Sequence, residues 1–284
     1  MLQTMRTRAY VAEAVGTFVI VLFGVGAVHT AVLTGAQAGL WQVAVVWGVA
    51  VALAIHLSGA ASGAHLNPAI TFAMACWRGF AWRRVPAYIA SQLVGAVVAA
   101  AVLYALWSPV IRNFEVSHGL VRGQPGSELS AMVYGEYFPN PAMARGTSSL
   151  QGVSEMQAAL AEGLGTAILA FVIMAVTDGR NGSAPQAGLR PWCIGLAVAI
   201  IISILAPLSQ AGLNPARDFG PRLVAWVAGW GTIAIPGPQG GFFTVYIFSP
   251  CLGAVLGAGA YSFLLGARRA DAPAAGGPAI EEES

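Results

Sequence analysis

Long, nearly uninterrupted runs of apolar residues recur along the chain. A helix needs about 20 mainly apolar residues to cross the hydrocarbon core of a bilayer, and six segments reach or approach that length. These segments are residues 9–33, 42–57, 85–106, 156–176, 191–208 and 243–265. The second and fifth are short, so their limits are the hardest to set. The pattern predicts an all-α membrane protein with six transmembrane helices.

Two copies of one short motif follow the second and fifth segments. They read Leu66-Asn67-Pro68-Ala69 and Leu213-Asn214-Pro215-Ala216. Asn is a strong helix N-cap and Pro is favoured at the first helical position, so each copy predicts a helix start. Neither resulting helix, residues 67–76 or 214–226, is long enough to cross a bilayer. We interpret both as re-entrant half-helices whose N-termini point into the membrane.

The two halves of the chain repeat each other. Ala12-Glu13-x-x-Gly16-Thr17 recurs as Ala161-Glu162-x-x-Gly165-Thr166, and Tyr88-Ile89-x-Ser91 recurs as Tyr246-Ile247-x-Ser249. Together with the Asn-Pro-Ala pair, three matched motifs in the same order argue against chance. Each half holds three spans, an odd number, so the second half is inserted upside down. The sequence thus predicts an inverted 3+3 repeat.

The repeat sets the expected domain limits. We expect a single channel domain over residues 1–266, with repeats at about 8–107 and 155–266 and an outer loop at 108–154. Residues 267–284 are rich in Ala, Gly and Pro and end in acidic residues, which favours a disordered cytoplasmic tail.

Composition and charge support this reading and exclude other classes. Hydrophobic residues make up 57% of the chain and charged residues only 9%, whereas soluble domains carry about 25% charged residues. The net charge of +2 is too small to indicate a nucleic-acid partner. The cysteines, Cys76, Cys193 and Cys251, lack metal-ligand spacing. We therefore expect no metal and no cofactor.

Arginine placement predicts the orientation in the membrane. Nine of the 14 basic residues, all of them arginines, fall on one side of the six-span arrangement. These are Arg6, Arg8, Arg78, Arg83, Arg84, Arg180, Arg190, Arg268 and Arg269. Cytoplasmic flanks carry the excess of positive charge. Both termini are therefore predicted to be cytoplasmic, with the protein in the cell membrane.

The paired helix tips predict a passage for uncharged molecules. A helix N-terminus carries roughly half a positive charge and exposes unpaired N–H groups. Two tips meeting at mid-membrane would repel cations and protons but not neutral solutes. We expect Asn67 and Asn214 to cap their helices through the carbonyl oxygen and to aim their NH₂ donors at the passage. Such donors orient a passing water and interrupt a proton-conducting chain.

At these motifs the sequence resembles the major intrinsic protein family, the aquaporins and aquaglyceroporins, and among them bacterial glycerol facilitators. The likeness covers about residues 8–266 and includes Ser62-Gly63-Ala64-His65-Leu66-Asn67-Pro68-Ala69 and Asn214-Pro215-Ala216-Arg217-Asp218-Phe219-Gly220-Pro221. The resemblance implies a homotetramer in the bilayer with one pore per subunit. Asp218 is typical of members that conduct glycerol and similar neutral solutes, together with some water.

The resemblance also implies a four-residue selectivity filter. By alignment with glycerol facilitators, its walls are Trp47, Ile202, Ala211 and Arg217. Trp47 and Arg217 match, whereas those facilitators have Gly and Phe at the other two positions. The set is more similar to that of plant nodulin-like members. Urea, lactic acid and neutral metalloid acids are therefore alternative solutes.

Backbone on either side of the filter is expected to supply hydrogen-bond acceptors. The residues before each cap are predicted to line a wet cavity as irregular backbone, because such backbone is otherwise not tolerated at membrane depth. They are Gly63, Ala64 and His65, and Gln210, Ala211 and Gly212. The family likeness implies that Glu13 and Glu162 support these loops by accepting N–H groups. A proton-sensitive gate at His65 is an alternative.

Three other functions compete with a passive glycerol channel. A water channel with incidental solute flow is disfavoured by Ala211 and Asp218. An ion-coupled transporter can share broken helices and inverted repeats but needs titratable groups along its path, where Glu13 and Glu162 are the candidates. An enzyme is rejected, because the sequence shows no nucleophile–base pair, metal cluster or phosphate loop.

Overall fold

The computed structural model describes residues 2–37, 39–146 and 148–266. Within them, the regular elements are helical, and six helical segments are long and apolar enough to cross a membrane. The six are Met5–Thr34, Leu40–Ser62, Trp82–Ser117, Glu155–Thr177, Arg190–Ser209 and Phe242–Leu264. The predicted all-α architecture with six apolar spans is confirmed. The tail at 267–284 lies outside the described residues.

Ten α-helices occur in the described part of the chain, and two of them are the half-helices. In order they are α1 (Leu2–Thr34), α2 (Leu40–Ser62), α3 (Pro68–Trp77), α4 (Val85–Ser117), α5 (Glu128–Ala131), α6 (Pro141–Ala144), α7 (Glu155–Thr177), α8 (Arg190–Ser209), α9 (Pro215–Ala225) and α10 (Ser249–Leu264). The half-helices α3 and α9 both begin at the proline of their motif. Asn67 accepts the Ala69 N–H at 2.8 Å, and Asn214 accepts the Ala216 N–H at 3.0 Å.

Helix α4 corrects one predicted boundary. It continues to Ser117 instead of ending near Leu106, so the connection to α7 begins at His118. The apolar run ends at Leu106, and Pro109 lies inside the helix beyond it. In the fold Ile111 and Glu115 are buried against that connection, and Arg122 pairs with Glu115 at 2.8 Å. Tertiary packing therefore extends a helix that hydropathy alone would end.

The two halves pack in matching ways. Helix α1 contacts α2 and α4, α7 contacts α8 and α10, and α2 meets α8 where the halves join. A Cβ added to Gly95 would lie 2.1 Å from the Ala14 carbonyl oxygen, and one added to Gly253 would lie 2.1 Å from that of Gly163. Close approach of α4 to α1 and of α10 to α7 therefore depends on glycines at equivalent positions of the repeat.

Each half-helix packs on the opposite half of the molecule. Helix α3 contacts α10, and α9 contacts α4. The connection between α4 and α7, residues 118–154, folds over one end of the bundle. Its buried side chains Met132, Tyr134 and Tyr137 pack with Trp230 and Ile233 of the segment after α9. This exchange brings the two half-helix tips together in the centre of the bundle.

Candidate functional site

The tips of α3 and α9 are joined by two reciprocal hydrogen bonds. Asn67 Nδ2 donates to the Leu213 carbonyl oxygen at 2.9 Å, and Asn214 Nδ2 donates to the Leu66 carbonyl oxygen at 2.8 Å. One hydrogen of each amide thus ties the two loops together. The second hydrogen of each amide is left for the passage, as expected of the two donors.

The loops before the two tips have an unusual backbone. Ala64, Leu66, Ala211 and Leu213 adopt φ values of 52°, 52°, 56° and 57°, a left-handed region that is costly for residues other than glycine. The residue before each alanine also has a positive φ, 86° at Gly63 and 63° at Gln210, so the two loops share the same irregular pattern. Such a conformation persists only where surrounding contacts hold it.

Two buried carboxylates supply those contacts. Glu13 accepts the N–H groups of His65 and Leu66 at 2.9 and 2.7 Å. Glu162 accepts those of Gly212 and Leu213 at 2.8 and 2.7 Å. Both side chains are fully buried. These hydrogen bonds use the loop donors, and no donor among the described residues bonds to the carbonyl oxygens of the expected ladder. That ladder comprises Gly63, Ala64, His65, Gln210, Ala211 and Gly212.

Two cavities meet at three side chains. The first cavity, of about 520 Å³, runs along the loops and both Asn caps to Arg190. The second, of about 410 Å³, lies under the α4–α7 connection and includes Gln210. Trp47, Ile202 and Arg217 line both cavities, whereas Ala211 lines the first alone. The constriction therefore falls at three of the four residues expected to form a filter.

The constriction combines an aromatic ring with a buried cation. The guanidinium carbon of Arg217 lies 4.1 Å from the centroid of the Trp47 ring. The guanidinium also forms an ion pair with Glu136, and both side chains are almost completely buried. A buried charge needs a partner of opposite sign, and Glu136 provides it. The aperture thus presents donors of a neutralised cation beside an apolar face.

The α4–α7 connection is fixed against α9 by further polar contacts. The Glu136 N–H donates to Asp218 at 2.7 Å, and its carbonyl oxygen accepts from Arg222. Arg222 in turn donates to Asp218 at 2.8 Å. The Tyr137 N–H donates to the Gln210 side chain at 2.8 Å. Asp218 therefore fixes the backbone of Glu136, whose carboxylate contacts Arg217.

Sequence reasoning missed the role of Glu136. Glu136 shares its segment with other acids and is distant in sequence from Arg217, so nothing local distinguishes it. The available signal was Arg217 itself, because an arginine predicted to lie at membrane depth requires a carboxylate. That rule predicts that Arg217 has an acidic partner, but it does not identify which acidic residue is the partner. Among the described residues no group of three His, Cys, Asp or Glu could hold a metal ion.

Comparison with known proteins agrees with this geometry. The family profile described as "Major intrinsic protein" matches residues 1–261. The glycerol uptake facilitator of Pseudomonas aeruginosa is 45% identical over 272 residues, 95% of this chain and 92% of that protein. The glycerol uptake facilitator of Escherichia coli K12 is 42% identical over 90% of this chain and 87% of that protein. The chain belongs to the major intrinsic protein family.

Two further relatives extend the comparison. The propanediol uptake facilitator of Citrobacter freundii is 40% identical over 90% of this chain and 91% of that protein. In the X-ray structure of the aquaglyceroporin from Plasmodium falciparum, the fold superposes with a TM-score of 0.76 at 26% identity. The match covers 91% of this chain and 96% of that one.

Proposed function

We propose that the protein is a passive membrane channel for glycerol and other small neutral solutes, with some water permeability. The observation that carries the proposal is the meeting of two cavities at the buried Trp47–Arg217 constriction, next to two opposed helix tips. Similarity to glycerol and propanediol facilitators supports this solute class.

The chemistry of the constriction suits a small polyol. Hydroxyl oxygens accept from Arg217, hydroxyl hydrogens meet loop carbonyl oxygens that lack a protein donor, and the carbon chain slides along Trp47 and Ile202. Cations and protons are disfavoured because the positive ends of α3 and α9 point at the junction. Glu13 and Glu162 each accept two loop N–H groups and one further side-chain donor. Both therefore have a structural role, and a proton-coupled carrier gains no support from them. The proposed activity requires no catalytic group.

We also propose a location and an assembly for the protein. The arginine distribution supports both termini in the cytoplasm and residence in the cell membrane. A homotetramer follows from the family likeness. The division into one channel domain, residues 1–266, and a tail remains part of this proposal.

Stopped-flow light scattering on proteoliposomes tests the function directly. Water, glycerol, urea and lactic acid are compared at two pH values against protein-free liposomes. Glycerol should equilibrate far faster than in the protein-free control, and lactic acid should enter faster at the lower pH, where it is uncharged. Water flow without glycerol flow would contradict the proposal and favour a water channel.

The filter assignment has its own tests. Arg217→Val should admit protons or cations, because it leaves the Glu136 carboxylate unpaired beside the aperture. A pH-sensitive dye inside the liposomes reports the leak. Ala211→Phe should slow the larger solutes, because a ring would fill the first cavity beside the aperture. An Arg217→Val channel with unchanged solute rates and no leak would refute the assignment, as would an Ala211→Phe channel with undiminished flow of those solutes.

A further inference from the structure

A glycine on α1 lies directly against the ring of Trp47. A Cβ built on Gly24 would lie 2.1, 2.2 and 2.4 Å from Cε3, Cζ3 and Cδ2 of that ring. Three consecutive ring atoms at such similar distances place the added carbon over the face of the ring, not at its edge. Contacts below 3.0 Å are essentially absent between real Cβ atoms and their neighbours. Gly24 therefore provides the volume that the ring occupies.

The helix that carries Trp47 cannot retreat to relieve such a contact. The next residue, Gly48, packs on α8, where an added Cβ would lie 2.5 Å from the Gly195 carbonyl oxygen. Conversely, a Cβ on Gly195 would lie 2.2 Å from the Gly48 carbonyl oxygen. Backbone already touches backbone behind Trp47. The free volume beside the Trp47 ring belongs to the two cavities that meet there, so a displaced ring would move into them.

We infer that Gly24 is a positioning residue that sets the aperture, because it lets the Trp47 ring lie back against α1 and leave the pathway open. The inference rests on the proposed function and assigns solute selection partly to a residue that lines neither cavity. Any side chain at position 24 would push the ring toward Arg217 and narrow the passage. The effect should grow with the cross-section of the solute.

Gly24→Ala tests the inference against a matched control on the same helix. The permeability of glycerol should fall about tenfold, equivalent to about 1.4 kcal/mol of added barrier, and that of water should fall less. Gly26→Ala is the control, since its added Cβ would lie at an ordinary 3.5 Å from Leu103. Its permeabilities should match those of the wild type. An unchanged glycerol-to-water ratio in Gly24→Ala overturns the inference.

A rescue variant separates positioning from misfolding. Trp47→Phe removes Cε3 and Cζ3, the two ring atoms that lie nearest to a Cβ at position 24. Gly24→Ala with Trp47→Phe should therefore conduct glycerol as fast as Trp47→Phe alone. A folding defect would instead lower both permeabilities and persist in the double variant, which overturns the inference.

Failure of the proposed function gives a different result. If the wild type passes water but not glycerol, the function fails, and the inference then requires Gly24→Ala to lower water permeability. A structure of Gly24→Ala with the Trp47 ring unmoved would overturn the inference whatever the channel conducts.

Discussion

Glu136 changes what the arginine at the constriction can do. An unpaired guanidinium at that depth would bind anions or change its side-chain conformation. The ion pair with Glu136 instead fixes the Arg217 side chain in one place and cancels its net charge. The carboxylate comes from a connection that Asp218 and Gln210 hold in position. The position of Arg217 therefore depends on a segment that lies outside the membrane spans.

Glu136→Gln tests that dependence. The amide keeps the shape of the side chain but leaves Arg217 as an uncompensated buried cation, which should lower the free energy of unfolding by about 3 kcal/mol. Glycerol permeability should fall with it, because the guanidinium loses its anchor. Thermal unfolding in detergent and stopped-flow assays measure the two effects. Glu128→Gln, in the same connection, is the control; equal behaviour of the two variants would contradict the assigned role.

Asp178, which follows α7, offers a prediction on pH. Its carboxylate accepts from the Arg180 backbone and guanidinium at 3.0 and 3.1 Å and from the Tyr261 hydroxyl at 3.2 Å. The Arg180 hydrogen bond, ahead of the opposing effect of burial, lowers the pKa of Asp178 from 3.8 to about 2. Because the folded-state pKa is depressed, the stabilisation is complete above the unfolded pKa and is lost as pH falls through about 2.

Asp178→Asn should therefore be less stable than the wild type at pH 5. The difference in unfolding temperature should shrink between about pH 4 and pH 2, as the wild-type carboxylate becomes protonated. Differential scanning fluorimetry in detergent at several pH values measures it. A difference that stays constant over this range would show that the carboxylate charge is not the stabilising feature.

At the scale of elements, the two irregular loops depend on the helices behind them. Each loop combines left-handed residues with a buried carboxylate on a neighbouring span, Glu13 on α1 and Glu162 on α7. The half-helices are thus held at their tips by capping and from behind by these acids. Loss of one acid should affect the tip junction as well as the local loop.

Glu162→Gln tests this support. The amide has one acceptor oxygen instead of two, so a loop N–H loses its partner, at a cost of about 1–3 kcal/mol per buried donor. Solute flow should fall as the loop loses its conformation. Glu155→Gln, in the exposed first turn of α7, should change stability by less than about 1 kcal/mol. Unfolding in denaturing detergent compares the two, and an equally small effect of both would argue against the support role.

Some elements could be predicted from sequence and others could not, for identifiable reasons. The starts of α3 and α9 followed from Asn67 and Asn214, because capping is a local property. The end of α4 did not, because it depends on burial of Ile111 and Glu115 under a distant segment. The left-handed Leu66 and Leu213 carry no local signal, since the residues themselves disfavour that conformation. The reciprocal amide bonds and the Glu136 contact depend on distances between remote residues.

At the scale of the whole molecule, the inverted repeat makes orientation testable. With six spans both termini share one side of the membrane, and the arginine distribution predicts that this side is cytoplasmic. A green fluorescent protein fused to the C-terminus should fluoresce, and alkaline phosphatase fused there should be inactive. Truncation after Ser154, which leaves three spans, should reverse both results. The same pattern for both fusion points would contradict the predicted topology.

The junction between Asn67 and Asn214 has a consequence for how the halves recognise each other. Each Asn side-chain amide donates to a main-chain carbonyl oxygen, that of the residue just before the other Asn, and not to a side chain. Substitution of Leu66 or Leu213 by another residue that tolerates a positive φ would leave the accepting carbonyl oxygens in place. Recognition at the junction itself is therefore independent of which side chains stand at these two positions, whereas the packing of α2 on α8 and of each half-helix on the opposite half remains specific to the sequence.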